Sequence, residues 1–477
     1  EDAAEPHKGV LSFYSTPVQE SFFREMQNTK FFSITCEQQI EIEGHTYVPV
    51  GICYLENCKT PCEDVLAYVP LDQDIAVFVD SLTVALSEKW GLNLAYCRGQ
   101  SLMTVGAAGA QVRAAGSMIS QRYPRSVRTF SSSMSLNTWL AKSCIISEVA
   151  DSFTWVERML QWVTEDEEKR AVLYKMVASL FQSDAAKHSD LTDRLSRNQW
   201  ERSHDTLDLT IEILEAIMLS LNDIKEKHDI QAERTQAGDF MIILQNFEFI
   251  LTLVIMKNVL SPTKSLSQSL QGQPLDVYEA VNSLSAVLSS LRDMKINIDA
   301  HLQSWYQEAV VLASKLQVSV DHTSQECLII YCRDIISKGA LEHSVCEINE
   351  LFSDGALSAV RCMQVVPYVI SKTEGCCTDP QLFKLYQDDL PDSSSLQEEL
   401  LKWRQKWLDV DPSQQLLHAG LLDTLNATDA ESFPNIETLL RLLMVLPCFR
   451  KEDLIRQGKK SLVEFNQQRS LLELYPL

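Results

Sequence analysis

Thr46-Tyr47-Val48-Pro49-Val50-Gly51-Ile52 sets large apolar side chains at alternate positions, the period of a strand with one covered face. Glu43-Gly44, just before it, is a turn pair, so Phe31 to Tyr54 reads as two strands joined there. Val65 to Val69 supplies a third strand beyond a turn at Cys58 to Cys62, and the chain therefore opens as an antiparallel sheet. Outward from this opening, Ile75 to Trp90 has helical spacing and Ala95-Tyr96-Cys97-Arg98 reads as the next strand. The glycine-rich Gly106 to Gly109 then leads into another helix. Residues 1–20 have weak periodicity and read as a linker.

After Lys142 almost nothing reads as strand. Leu207, Ile211, Leu214, Met218 and Leu221 repeat at spacings of four and three and predict one helix with a single apolar stripe. Val277, Val281, Leu284, Leu288, Leu291 and Met294 form a similar stripe after a start marked by Pro274 and Asp276. Such stripes mostly face a core. Phe247 to Met256 is the longest apolar run, interrupted by Glu248, and is about half the length a bilayer requires, so it reads as a buried helix. Ser371 to Ser395, polar with Gly375 and two prolines, reads as a linker near 371–395.

With 477 residues, 45% hydrophobic and 22% charged, the chain is long enough for two or three structural units and too apolar for a disordered tail. Lys plus Arg number 42 against 65 for Asp plus Glu, a formal charge of −23. That balance repels a phosphate backbone unless basic groups are segregated onto one face. The basic runs Arg122 to Arg128 and Arg450 to Lys460 are short and read first as solvated surface. The thirteen cysteines are odd in number, which favours reduced thiols and an intracellular setting. Cys53, Cys58 and Cys62, with His45 nearby, lack the CxxC spacing of a strong zinc site, and Cys376-Cys377 reads as an inert vicinal pair. His204-Asp205 has no Gly-x-Ser-x-Gly elbow to make it half of a hydrolase triad.

Several short motifs, in order, resemble the hAT superfamily of transposases and the host proteins derived from them. They are Phe31-Phe32-Ser33-Ile34, Glu88-Lys89-Trp90-Gly91-Leu92-Asn93 and Tyr96-Cys97-Arg98-Gly99-Gln100, followed by Tyr123-Pro124 and Ser135-Leu136-Asn137 with Trp139-Leu140-Ala141-Lys142-Ser143. Trp200, Leu270-Gln271-Gly272-Gln273, Asp389-Leu390-Pro391, Phe433-Pro434-Asn435 and Leu446-Pro447 continue the series. The resemblance implies an α/β core with an RNase-H-like mixed sheet, interrupted by a large all-α insertion, the whole mostly helical. The implied organisation is a linker over 1–20, the first part of the core over 21–145, the insertion over 146–425, and C-terminal helices over 426–477 that complete the core. The order strand, strand, strand, helix, strand, helix read above agrees with such a core.

The resemblance also implies three carboxylates holding two divalent metals over a scissile phosphate. At the first position stands Glu37, followed by Gln38 where a second acid is usual. At the second stands Met103, a thioether with no affinity for a hard cation. The third falls on Leu454, with Glu452 and Asp453 out of register, and Ser131 and Met134 replace the family's Cys and His before Ser-Leu-Asn. The expectation is therefore a degenerate, catalytically inactive enzyme needing no cofactor: a nuclear protein-interaction and dimerisation module in transcription or chromatin regulation. Any DNA-reading module, such as a zinc finger, would lie outside this segment. Phe433, Leu439, Leu440, Leu443 and Leu446 carry more apolar surface than one helix face hides and point to a homodimer contact. The alternative classes are a residual DNA-end binder using Arg122, Arg125, Arg128, Trp200 and Arg202, and a metal-dependent nuclease working through Glu37 and Glu452.

Overall fold

The computed structural model describes residues 9–12, 16–72, 74–197, 199–372, 378–411, 413–414 and 420–450, with the backbone of short strands at 456–457 and 475–476. The chain divides into two units. The first comprises 1–132, 272–282 and 350–477, and the second comprises 133–271 and 283–349.

The first unit holds the sheet. Its strands are β1 (Leu11–Ser12), β2 (Phe32–Thr35), β3 (Ile40–Ile42), β4 (His45–Glu56), β5 (Thr60–Pro70), β6 (Cys97–Ser101), β7 (Val127–Arg128), β8 (Arg456–Gln457) and β9 (Tyr475–Pro476). They lie in the order β7-β6-β2-β4-β5-β1-β9, with β3 also on β4 and β8 on β5. The pairs β2 with β4 and β4 with β5 are antiparallel, whereas β6 runs parallel to β2 and β7 parallel to β6. The hairpins turn where left-handed backbone is available: Glu43 and Gly44 have φ of 51° and 80°, and Asn57 and Cys58 have 52° and 60°. Strand β4 differs from the half-covered strand that its alternation predicts, because residues 47–55 are all buried. Both faces of the sheet are covered, so Pro49 and Gly51 are enclosed along with Val48 and Val50.

Phe78, Val79 and Leu82 of the helix Ile75–Val84, with Val112, Ala115 and Ile119 of the helix Gly109–Arg122, share one core with Ile34, Val50, Ile52 and Leu66 from the strands. The helix read over Ile75 to Trp90 widens to a π turn at Ala85–Lys89, and the strand predicted from Ala95 starts two residues later, after the 3-10 turn Leu94–Tyr96. The 1–20 linker shortens: β1 pairs with β5 and a helix runs over Thr16–Thr29. The 371–395 stretch also differs from a linker. Pro380–Asp389 is a 3-10 helix with Phe383 and Tyr386 fully buried, and Cys376-Cys377 lies outside the described residues. The helices Leu396–Leu408, Leu421–Asn426 and Pro434–Met444 complete this unit.

The second unit has helices and no strand among its described residues. Its central helix, Phe247–Val259, has nine buried side chains, as expected of an apolar run too short for a membrane. No single described helix is long and apolar enough to cross one. The stripe from Leu207 to Leu221 is split at Ile213 into the helices Thr206–Glu212 and Leu214–Lys227, with Leu207, Leu214, Met218 and Leu221 buried and Ile211 half-buried. The stripe from Val277 to Met294 is divided further: Pro274–Ala280 belongs to the first unit and Leu284–Ile296 to the second. Spacing alone registers the period but not the 3-10 turn Val281–Ser283 that interrupts it.

The Ser135 to Ser143 motif anchors this helical unit. Ser135 caps the helix Leu136–Lys142 by accepting from the Thr138 amide. Asn137 Nδ2 donates to the Leu260 carbonyl at 3.2 Å, and its Oδ1 accepts from Thr263 Oγ1 at 2.6 Å. Trp139, fully buried, donates its indole N–H to Glu347 at 2.9 Å. Lys142 pairs with Glu157 at 2.7 Å and with Glu201 at 3.2 Å.

Candidate functional site

Glu37 sits two residues beyond β2, and Met103 two residues beyond β6, the strand that pairs with β2. Parallel pairing brings Thr35 level with Ser101 and so delivers both positions to one place in the first unit. Glu37 Oε1 accepts from Ser101 Oγ at 2.5 Å. Its two oxygens accept from Arg450 Nη2 at 3.3 and 3.0 Å. The other Arg450 terminal nitrogen, Nη1, donates to Glu63 Oε1 at 2.6 Å, and Nη2 also donates to Ser131 Oγ at 2.9 Å. Ser132 Oγ holds the Arg450 carbonyl at 3.2 Å. Arg450 is 8% exposed, so this guanidinium lies inside the protein between two carboxylates.

Burial alone would raise the Glu37 carboxyl. The Arg450 charge and hydrogen bonds from Ser101 and Ser131 outweigh it and hold the group below the usual carboxylate range. Burial likewise opposes the Arg450 charge, but Glu37 and Glu63 push its pKa well above the ordinary value. Both groups are therefore ionised. Met103 is fully buried, and its Sδ accepts from the Ser131 amide at 3.4 Å.

The two divalent metals implied by the transposase resemblance do not fit these residues. Such ions need several hard oxygen ligands, and here a thioether holds the second position while a fixed cation lies against Glu37. Among the described residues no group of three or more His, Cys, Asp or Glu is placed to hold a metal. Cys53 and Cys62 do not converge either. In the β4–β5 register Cys53 pairs with Glu63 and Tyr54 with Cys62, so the two thiols lie on opposite faces. Leu454, Glu452 and Asp453 lie outside the described residues.

The Cys97-Arg98-Gly99-Gln100 motif is structural in detail. Arg98, 1% exposed, donates from Nε and Nη2 to Asp389 at 2.8 and 2.6 Å, and Arg125 Nη1 reaches the same carboxylate at 2.5 Å. Gln100 Nε2 donates to Ser120 Oγ, the Ser126 carbonyl and Ser126 Oγ. The residues read as possible DNA contacts fall in both units. In the first, Arg122 is exposed, Arg125 is tied to Asp389, and Arg128 pairs with Glu350 at 3.1 Å. In the second, Trp200 is 4% exposed with its indole N–H lacking a partner among the described residues, and Arg202 donates to Gln199 Oε1 at 3.4 Å.

The apolar excess that pointed to a dimer contact is satisfied within the first unit. Leu439, Leu440, Leu443 and Leu446 are all fully buried, and Phe433 packs edge-on against Trp403 with ring centres 4.9 Å apart. The helix Pro434–Met444 is covered on several sides by its own unit, which is why its sequence exceeds one amphipathic face. Sequence reasoning gave Arg450, Glu63 and Asp389 no place in a site, although Arg450 stood in a basic run and Asp389 in a quoted motif. Arg450 carried one signal: it opens a basic run directly after the apolar stretch Leu442 to Phe449.

Comparison with known proteins finds sequence similarity to a named repressor. The chain is 29% identical over 469 residues to the 52 kDa repressor of the inhibitor of the protein kinase of Homo sapiens. The same-named protein of Mus musculus is 28% identical over 470 residues. Each match takes in 95% of this chain but 61% and 62% of the relative. The chain thus spans about three-fifths of the length of the curated relatives it matches. No protein-family model matches it.

Proposed function

We propose that this chain is a catalytically silent, transposase-derived regulator that acts in the nucleus through protein contacts, in transcription or chromatin control. The observation that carries the reading is the Glu37 carboxylate bound to the Arg450 guanidinium, with buried Met103 where a second metal-binding acid would stand. Two-metal phosphoryl chemistry requires those positions to present free oxygens to divalent ions. The strand order supports an RNase-H-like core of hAT type: three antiparallel strands, β2, β4 and β5, with β6 and β7 added parallel on the other edge of β2. Similarity along 95% of the chain to a named repressor supports the regulatory role.

Much of the basic side-chain complement is internally paired. Arg98, Arg125, Arg128 and Lys142 all face carboxylates, which favours protein over nucleic-acid contacts. The deciding experiment is affinity purification of this chain from nuclear extract with nuclease treatment before washing, followed by mass spectrometry against a matched control. Corepressor or chromatin subunits that survive nuclease support the reading; loss of all partners with the DNA transfers it to a non-cleaving DNA-end binder. A Mn²⁺-dependent nick in a DNA end, abolished by Glu37→Gln, would overturn catalytic silence.

A further inference from the structure

We infer that the Arg450 guanidinium is the resident cation of the Glu37–Glu63 site, standing in for a divalent metal ion and making the fold of this unit independent of one. The inference deepens the proposed reading, and rests on it only in taking the site to be a former metal centre.

The argument begins with charge. Glu37, from the loop after β2, and Glu63, from β5, converge on a single guanidinium at 3.0 and 2.6 Å, with side-chain exposures of 14% and 28%. Two largely enclosed carboxylates repel each other and lose hydration, so a cation must compensate them. A guanidinium does this with planar, paired donors and no dependence on metal supply. The backbone fixes it there: Arg450 follows the 3-10 turn Pro447–Phe449, its amide donates to the Pro447 carbonyl at 3.2 Å, and its carbonyl is held by Ser132. Hydroxyls from Ser101 and Ser131 occupy the sides of the site, each with a hydrogen bond to one of the ions. One guanidinium thus offsets part of the charge of two carboxylates, while Met103 removes the hard ligand that a metal would need beside Glu37.

Removing the guanidinium leaves two facing carboxylates with neighbouring hydroxyls, a weak oxygen site for a divalent cation. The test compares wild type, Arg450→Met, the double variant Glu37→Gln/Arg450→Met and the triple variant Glu37→Gln/Glu63→Gln/Arg450→Met, using Mn²⁺ as the probe. Bound Mn²⁺ is counted by electron paramagnetic resonance, and thermal unfolding is recorded in Mn²⁺ and in EDTA. The wild type is expected to melt at the same temperature in both and to bind no Mn²⁺ that depends on Glu37. Arg450→Met is expected to melt lower in EDTA, recover in part with Mn²⁺, and bind the ion at least tenfold more tightly than wild type does. The double variant loses that gain. Should Arg450→Met fail to fold, the triple variant still decides: it is expected to fold, because the uncompensated charge is gone.

Glu37-dependent Mn²⁺ binding by the wild type would overturn the inference. A folded Arg450→Met that neither binds nor is stabilised by Mn²⁺ would do so too, as would a triple variant no more stable than Arg450→Met. These readouts concern cation and fold alone. A DNA-nicking wild type would sink the regulatory reading through a different measurement.

Discussion

Arg98 grips both carboxylate oxygens of Asp389 from 291 residues away in the chain, through Nε at 2.8 Å and Nη2 at 2.6 Å. Both side chains are almost fully enclosed, at 1% and 4% exposure, and Arg125 adds a second cation to the same carboxylate. A buried pair is a weak source of net stability, but removing one partner strands the other's charge away from water. Asp389→Ala is therefore expected to cost about 3 to 5 kcal/mol, measured by urea unfolding of the first unit's signal. An unchanged midpoint would mean that Arg98 finds another acceptor or water.

Gly99, the next residue, is required for a different reason. A Cβ built there would lie 2.5 Å from Ser33 Oγ, 3.0 Å from Pro447 Cδ and 3.1 Å from Leu446 Cδ2. Strand β6 thus passes directly against the Leu446-Pro447 turn that presents Arg450. Gly99→Ala is expected to destabilise by about 1 to 3 kcal/mol through overpacking, and to lower the melting temperature without changing secondary structure in circular dichroism.

The strands were legible because runs of β-branched and aromatic residues bounded by turn pairs have few other solutions. The inside face of β4 was not, since alternation predicts one covered face and this sheet is covered on both. Asp389 stood in the Asp389-Leu390-Pro391 motif near the end of a polar stretch that reads as linker, but its partner Arg98 lies too far along the chain for any local pattern to connect them. Arg450 was read as part of a solvated basic run for the same reason: a buried cation is identified by its acids, and Glu37 and Glu63 lie about four hundred residues earlier. That Met103 is a poor ligand for a hard cation was legible from residue type alone, whereas the pairing of Glu37 with Arg450 required the fold.

The leucines of Pro434–Met444 make a prediction opposite to that of a surface dimer seam. Leu440 and Leu443 have no exposed area, so a charged group there is buried without a partner. Leu440→Asp with Leu443→Asp is expected to unfold the first unit, and Leu440→Ala to cost about 2 to 5 kcal/mol. Sedimentation and circular dichroism together decide. A mutant that stays folded and only changes its oligomeric state would restore the association role.

Glu157 gives the second unit a pH dependence with a definite sign. Burial raises its carboxyl to about 7, against the lowering effect of Lys142 and with a further upward push from Glu201. Because the folded-state value lies above the ordinary 4.5, the folded protein holds this proton more tightly than the unfolded chain. Its contribution to stability is fully present below about pH 4.5 and is lost as pH rises through about 7. In that window the slope approaches about 1.4 kcal/mol per pH unit. Glu157→Gln carries no titrating group there, so the difference in unfolding free energy between wild type and variant should move in the variant's favour from pH 5 to pH 8. Parallel stability curves across that range would show that Lys142 holds the carboxylate ionised throughout.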